Sequence, residues 1–219
     1  MANAYFNTDY GHACRVTTDE FSVAICVTTS GTRVALNYGT TPALGTIEGD
    51  TTTSGDDERV IFNPTSLSKG IYYFKVARHT GSAWEDITDI QQVKLFETKQ
   101  NSMALLFDQH YNHNAANPAR MTIADAAVHS LKPDVVVLGG DEHFAPGNLN
   151  DQAESDGWCE ELINQLPNIF KNYPVYRCYG NHEGMYGWDA TLKGWRENSI
   201  QKYFCNPNDV DTSYSFVVG

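Results

Sequence analysis

Met103-Ala-Leu-Leu-Phe-Asp-Gln-His110, Asp134-Val-Val-Val-Leu-Gly-Gly-Asp141 and Pro174-Val-Tyr-Arg-Cys-Tyr-Gly-Asn-His-Glu183 share one pattern: a short apolar run that ends in polar residues able to bind metal. The runs Met103–Phe107 and Asp134–Leu138 read as buried strands, the first on both faces, and Pro174–Tyr179 as a third strand. Residues 118–131 place Met121, Ala124, Val128 and Leu131 at helical spacing, with Pro118 near the start. Residues 156–170 do the same with Trp158, Leu162, Leu166 and Ile169. A further helix is expected over 189–204 and a last strand over Ser213-Tyr-Ser-Phe-Val-Val218. Strand and helix in alternation predict a parallel sheet covered by helices.

Upstream the signal is different. Phe21-Ser-Val-Ala-Ile-Cys-Val27, Arg33-Val-Ala-Leu-Asn-Tyr38, Arg59-Val-Ile-Phe62, Ile71-Tyr-Tyr-Phe-Lys-Val76 and Gln92-Val-Lys-Leu-Phe96 are short β-rich segments. Gly, Pro, Thr and Ser clusters such as Gly39-Thr-Thr-Pro42 and Thr51-Thr-Thr-Ser-Gly55 separate them. This spacing predicts a β-sandwich. The expected organisation is therefore an all-β sandwich over 1–98 and an α/β domain over 99–219. No internal repeat is present.

The chain has 219 residues, of which 41% are hydrophobic and 19% charged, an ordinary globular composition that argues against disorder. Its formal charge of −12, with no basic run, argues against general binding to nucleic-acid backbones. No apolar stretch reaches the roughly 18 residues of a membrane span. Met1-Ala-Asn-Ala-Tyr5 lacks the basic-then-apolar pattern of a signal peptide. The five cysteines, at 14, 26, 159, 178 and 205, match neither a disulfide framework nor a zinc ribbon. Cys14–Cys26 and Cys159–Cys205 could each pair in an oxidising compartment; buried thiols are the equal alternative.

In open α/β sheets, sites lie at the carboxyl ends of the strands. Those ends here carry Asp108, Gln109 and His110; then Asp141, Glu142 and His143; then Asn181, His182 and Glu183. Carboxylate, imidazole and amide oxygen together suit divalent metals such as Mn²⁺, Fe or Zn²⁺. A glycine just before Asp141 and before Asn181 lets the backbone turn sharply and bring the side chain close to its target. A lone Asp at a strand end is more often a turn former; three such motifs on three successive strands are harder to attribute to turns. His12, His79, His113 and His129 read as surface or hydrogen-bonded histidines, and His143 as a residue that could line a site.

Asp108-x-His110, Gly140-Asp141 and Gly180-Asn181-His182-Glu183, in that order on strands, resemble the first three signature blocks of the calcineurin-like metallophosphoesterases. Val34-Ala-Leu-Asn-Tyr-Gly-Thr-Thr41 and Leu67-Ser-Lys-Gly-Ile-Tyr-Tyr-Phe-Lys-Val76 resemble the fibronectin-like domain of purple-acid-phosphatase-like members. Ser213-Tyr-Ser-Phe216 is similar to the strand that follows the Gly-Asn-His block. The resemblance implies a two-metal phosphoesterase acting on phosphomonoesters or phosphodiesters. Asp108 and His110 would hold the first metal, Asp141 would bridge both, and Asn181 would bind the second through its amide oxygen. His182 would not be a ligand; it would be the catalytic residue beside the phosphate, assisting charge stabilisation or leaving-group protonation. The loops 144–157 and 184–189 would border the site, where Tyr186 and Trp188 could stack on a base or sugar.

Two departures from the family shape the expectations. Purple acid phosphatases end the second block with a metal-binding Tyr, where Phe144 stands here, so no coloured iron–tyrosinate is expected. The family also supplies three later histidines, one alone and then a Gly-His-x-His pair, and no His follows His182. The first metal would lack one ligand and the second two. The expectation is half of a catalytic domain, inactive alone, with a C-terminal strand able to pair with another chain along its edge. An extracellular or virion-associated setting fits the acidic charge. The rival readings are a non-catalytic surface protein on a degenerate version of the fold, and a module whose sandwich recognises a partner or glycan. A downstream Gly-His-x-His in the reading frame would favour the enzyme.

Overall fold

The structure is a computed structural model; it describes residues 12–27, 29–55, 58–97, 101–108, 117–141, 152–178, 191 and 199. Eight strands fill the first part: β1 (His12–Val16), β2 (Phe21–Val27), β3 (Arg33–Gly39), β4 (Thr46–Thr52), β5 (Glu58–Phe62), β6 (Ile71–His79), β7 (Trp84–Asp86) and β8 (Gln91–Lys94). They form two antiparallel sheets, β1-β2-β5 and β4-β3-β6-β7, with β8 also paired to β6. Inward residues alternate along β5, β8 and most of β6, as a half-buried strand requires. Val23 and Ile25 from one sheet meet Leu36, Phe74 and Val76 from the other in one core. Phe21 is fully buried, with the rings of Tyr38, Tyr72 and Phe74 about it at 5.9–6.0 Å.

Three elements here escaped the pattern. β1 and β7 carry no run of large apolar residues. β4 includes Thr51 and Thr52, which the sequence reading assigned to a turn cluster; β-branched threonines suit this exposed margin of the sheet. Gly49 within β4 has φ +65°, and a Cβ there would lie 2.5 Å from the Phe62 ring, so the sheets approach closely at that point.

The second part contains β9 (Met103–Leu106), α1 (Asn117–Leu131), β10 (Val135–Leu138), α2 (Gln152–Gln165), α3 (Pro167–Asn172) and β11 (Val175–Arg177). The strands form a parallel sheet in the order β11-β10-β9. α1 ends where Lys132 adopts φ +51° ahead of Pro133, which cannot continue a helix. The expected 156–170 helix is divided at Pro167. Its buried stripe is Ser155, Cys159, Leu162 and Ile163, with Trp158 only half-buried. On α1, Met121 and Val128 are buried as expected, but Leu131 is 78% exposed and Asp125 is buried.

Asp125 is buried for a reason. Its carboxylate accepts from the Asn168 and Ile169 amides, at 3.2 and 2.9 Å, and from the Asn168 side chain at 2.7 Å. It thereby caps α3 from across the helix layer, since Leu166 supplies no side-chain cap.

Helices cover one face of the parallel sheet: Val136, Leu138 and Val175 pack with α1, α2 and α3. The other face lies on the sandwich, because Val135, Val137 and Tyr176 belong to the sandwich core. Among the described residues the helices predicted over the parallel sheet thus cover one face of it and the β-sandwich the other. The Val16 amide donates to the Tyr176 hydroxyl at 3.1 Å across this joint. Lys94 pairs with Asp134, and Lys171 with Asp89 at 2.6 Å.

β9 corrects a further expectation. It is an edge strand among the described residues, and only Ala104 and Leu106 pack on the helices. Met103, Leu105 and Phe107 are 43%, 53% and 56% exposed. Val135 and Val137, the register partners of Met103 and Leu105, are buried by the sandwich, which among the described residues stops one strand short.

Candidate metal centre

Parallel pairing sets the carboxyl ends of β9, β10 and β11 along one edge. Asp108 stands two residues beyond β9 and Asp141 three beyond β10. The ladder continues past the strand ends: the Gly139 amide donates to the Leu106 carbonyl at 2.7 Å, and the Asp108 amide to the Gly140 carbonyl at 3.0 Å. On the other side the Cys178 amide donates to the Leu138 carbonyl at 2.7 Å. The residue before Asp141 is therefore bonded directly to Asp108. The expectation that the strands bearing the two aspartates are neighbours is met.

Both aspartates occupy left-handed backbone, with φ +57° at Asp108 and +55° at Asp141, and Gly140 between the strand and Asp141 has φ +92°. Aspartate tolerates this region better than most side chains, at some cost. Each strand turns sharply at its carboxylate, as the Gly before Asp141 leads one to expect. Asp108 is exposed and Asp141 half-buried. Gly139 is needed for close approach: a Cβ there would lie 1.7 Å from the Phe107 ring.

Of the other expected site residues, His110, Asn181 and His182 lie outside the described residues, as do His143, Phe144, Glu183, Tyr186 and Trp188. The helix expected over 189–204 is described only at Thr191 and Ser199, both helical, and the strand over 213–218 lies outside. The bordering loop 144–157 is shorter than expected, since Gln152–Gly157 belong to α2. Ser199 donates to Asp156 at 2.6 Å, and its hydroxyl oxygen lies 2.8 Å from that of Ser155. Among the described residues no three His, Cys, Asp or Glu side chains gather as a metal cluster. The two carboxylates brought to neighbouring strand ends are hard oxygen donors, and that chemistry fits a divalent cation. The sequence reading did not single out Arg177, a buried cation at the end of β11, ahead of Asn181. An arginine inside an otherwise apolar strand was the available signal.

The histidines set aside behave accordingly where described. His79 Nδ1 accepts from the Gly81 amide at 3.1 Å, and His129 Nδ1 lies 3.2 Å from the Tyr173 hydroxyl.

No helix among the described residues is long and apolar enough to cross a membrane. No curated protein matches the sequence. The fold is similar to that of a purple acid phosphatase from yellow lupin (Lupinus luteus) seeds, with a TM-score of 0.63 at 14% identity over 92% of this chain and 41% of that one. It is also similar to PhoD, with a TM-score of 0.70 at 11% identity over 97% of this chain and 49% of that one. At these identities the likeness is one of fold, and the chain spans less than half the length of either protein. The family model for calcineurin-like phosphoesterase matches residues 87–217. The match takes in the strand ends just described and more than half of the sequence: the chain belongs to the calcineurin-like phosphoesterase family.

Proposed function

We propose that this chain supplies the first half of a two-metal phosphoesterase site that hydrolyses phosphomonoesters or phosphodiesters. The observation that carries the reading is the placement of Asp108 and Asp141 at adjoining strand ends, joined by the 3.0 Å bond from the Asp108 amide to the Gly140 carbonyl. In this reading Asp108 and His110 would hold the first metal, Asp141 would serve both, and Asn181 would offer its amide oxygen to the second. A carboxylate suits the bridge because it has two oxygens and a full charge. His182 holds a proton for the leaving group or steadies developing charge. When bound, paired cations supply a Lewis-acid clamp on the phosphoryl group and a water of lowered pKa.

The uncovered face of β9 supports a site completed by further chain. Met103, Leu105 and Phe107 lie on the sandwich side of the sheet and lead directly to Asp108. Exposing a large apolar side chain forgoes about 1.5–3 kcal/mol. An element that covered this strip would arrive beside the candidate metal centre, where the family's remaining ligands are wanted. The strand order of the two antiparallel sheets supports a fibronectin-like identity for the N-terminal sandwich, which exchanges strands between sheets along the chain.

The test uses a polypeptide extended to the length of its structural neighbours. Asp141→Asn should abolish turnover of a chromogenic phosphodiester and phosphomonoester and lower metal content. His182→Ala should keep the metal and slow turnover about 10²–10⁴-fold. Intact metal content with no turnover of any phosphoester would reject the enzyme and favour the non-catalytic surface protein.

A further inference from the structure

The outer face of the five-stranded sheet carries a cluster that neither the core nor the candidate metal centre uses. Trp84 lies on β7, whose three residues are all exposed, so packing does not account for an indole at that position. Its residue is 37% exposed. The Arg33 guanidinium stands over the ring, 5.3 Å from its centroid, and the His79 imidazole meets it edge-on at 5.1 Å. Arg33 is itself held by Asp50, to which it donates from Nε and from a terminal nitrogen. His79 is the register partner of Trp84 and accepts from the Gly81 amide. The indole is therefore fixed by neighbours that are fixed in turn.

These four side chains form a row across β4, β3, β6 and β7. At the usual interstrand spacing the row is about 14 Å long, enough for more than one sugar ring. Its charge cancels within the Arg33–Asp50 pair. The Lys75–Asp86 pair on the same face, at 2.7 Å, cancels as well. Thr52, the exposed register partner of Arg33, adds a hydroxyl beside it. A protein partner would set an aromatic anchor among apolar neighbours, and a polyanion would meet the chain's charge of −12. A neutral polyhydroxyl ligand meets neither objection.

We propose that this row is a binding subsite for a neutral oligosaccharide, in which the Trp84 indole takes the apolar face of a sugar ring and the Arg33–Asp50 pair exchanges hydrogen bonds with its hydroxyls. The proposal stands apart from the phosphoesterase reading, since none of its residues lies at the metal centre. The experiment titrates the chain with cellohexaose, xylohexaose and chitohexaose by calorimetry and by tryptophan fluorescence, with heparin hexasaccharide as the charged control. The expected result is saturable binding of at least one neutral hexasaccharide, with Kd in the range of about 10 µM to 1 mM. Trp84→Ala should weaken it at least about tenfold and abolish the fluorescence change, while Trp84→Phe keeps part of the affinity. Arg33→Ala serves as the second variant should Trp84→Ala fail to fold. Absence of saturable binding to all three, binding that Trp84→Ala and Arg33→Ala leave unchanged, or preference for the heparin fragment would each overturn the proposal.

Discussion

Asp108 and Asp141 combine two demands on one residue type. Each must turn its backbone through the left-handed region, at φ +57° and +55°, and each presents a carboxylate at the sheet edge. Asparagine shares the tolerance for that backbone but lacks the charge. Asp141→Asn should therefore leave the fold intact and remove metal affinity, a separation that circular dichroism and metal analysis can read together. Gly139 sets a steric condition at the same edge. Gly139→Ala would drive a methyl into the Phe107 ring. Because Phe107 is 56% exposed, its ring can swing into solvent, so the expected loss is only about 1 kcal/mol. A Gly139→Ala, Phe107→Ala double variant should recover part of that loss in a urea-denaturation cycle. Strictly additive effects would mean that the two positions do not meet.

At the scale of elements, α3 depends on a side chain from α1. Pro167 starts the helix without a cap of its own, and Asp125 supplies the acceptor for two of its first amides. Asp125→Ala would leave those donors buried without a partner, at a cost of about 1–3 kcal/mol. The urea midpoint should fall accordingly, and Asp125→Asn should recover part of the loss because its carbonyl oxygen can still accept. The sequence shows why such a residue is hard to find. An aspartate within a helical pattern reads as solvent-facing until its partner, 43 residues on at Asn168, is known. β9 teaches the converse. Its apolar run is the same kind of sequence as Val135–Leu138, yet Val135–Leu138 is buried on both faces and β9 is not.

At the scale of the molecule, the sandwich and the parallel sheet share one core through Val135, Val137 and Tyr176. The two parts should therefore melt in a single transition. Tyr176→Phe removes the acceptor for the Val16 amide, a bond 160 residues apart in sequence, and should lower the melting temperature of the whole chain. Two separate transitions in calorimetry would refute the shared core. Asp134 lies at the same joint. Burial pushes its carboxyl up, but the Lys94 ammonium and the Ser102 amide and hydroxyl outweigh this and hold it below the ordinary carboxylate value. A folded-state value below the unfolded one means stability present above about pH 4 and lost as pH falls through the depressed value. Melting temperature measured from pH 6 down to pH 2 should drop in that lower window, and less steeply in Asp134→Asn.

The sequence by itself determined the strands β2, β3, β5, β6 and β8 to β11 and the helix α1, the change from β-rich to strand–helix alternation, and the placement of Asp108 and Asp141 at successive strand ends. These are local matters: hydrophobic period, glycine and proline punctuation, and polar residues that close an apolar run are written in neighbouring positions. Only the tertiary structure decided that the sandwich covers one face of the parallel sheet, that β9 lies at an edge among the described residues, that Asp125 is buried as a cap, and that Arg33, Asp50, His79 and Trp84 meet on one face. Each of these depends on contacts between residues far apart in the chain, and periodicity within a segment carries no record of what packs against it.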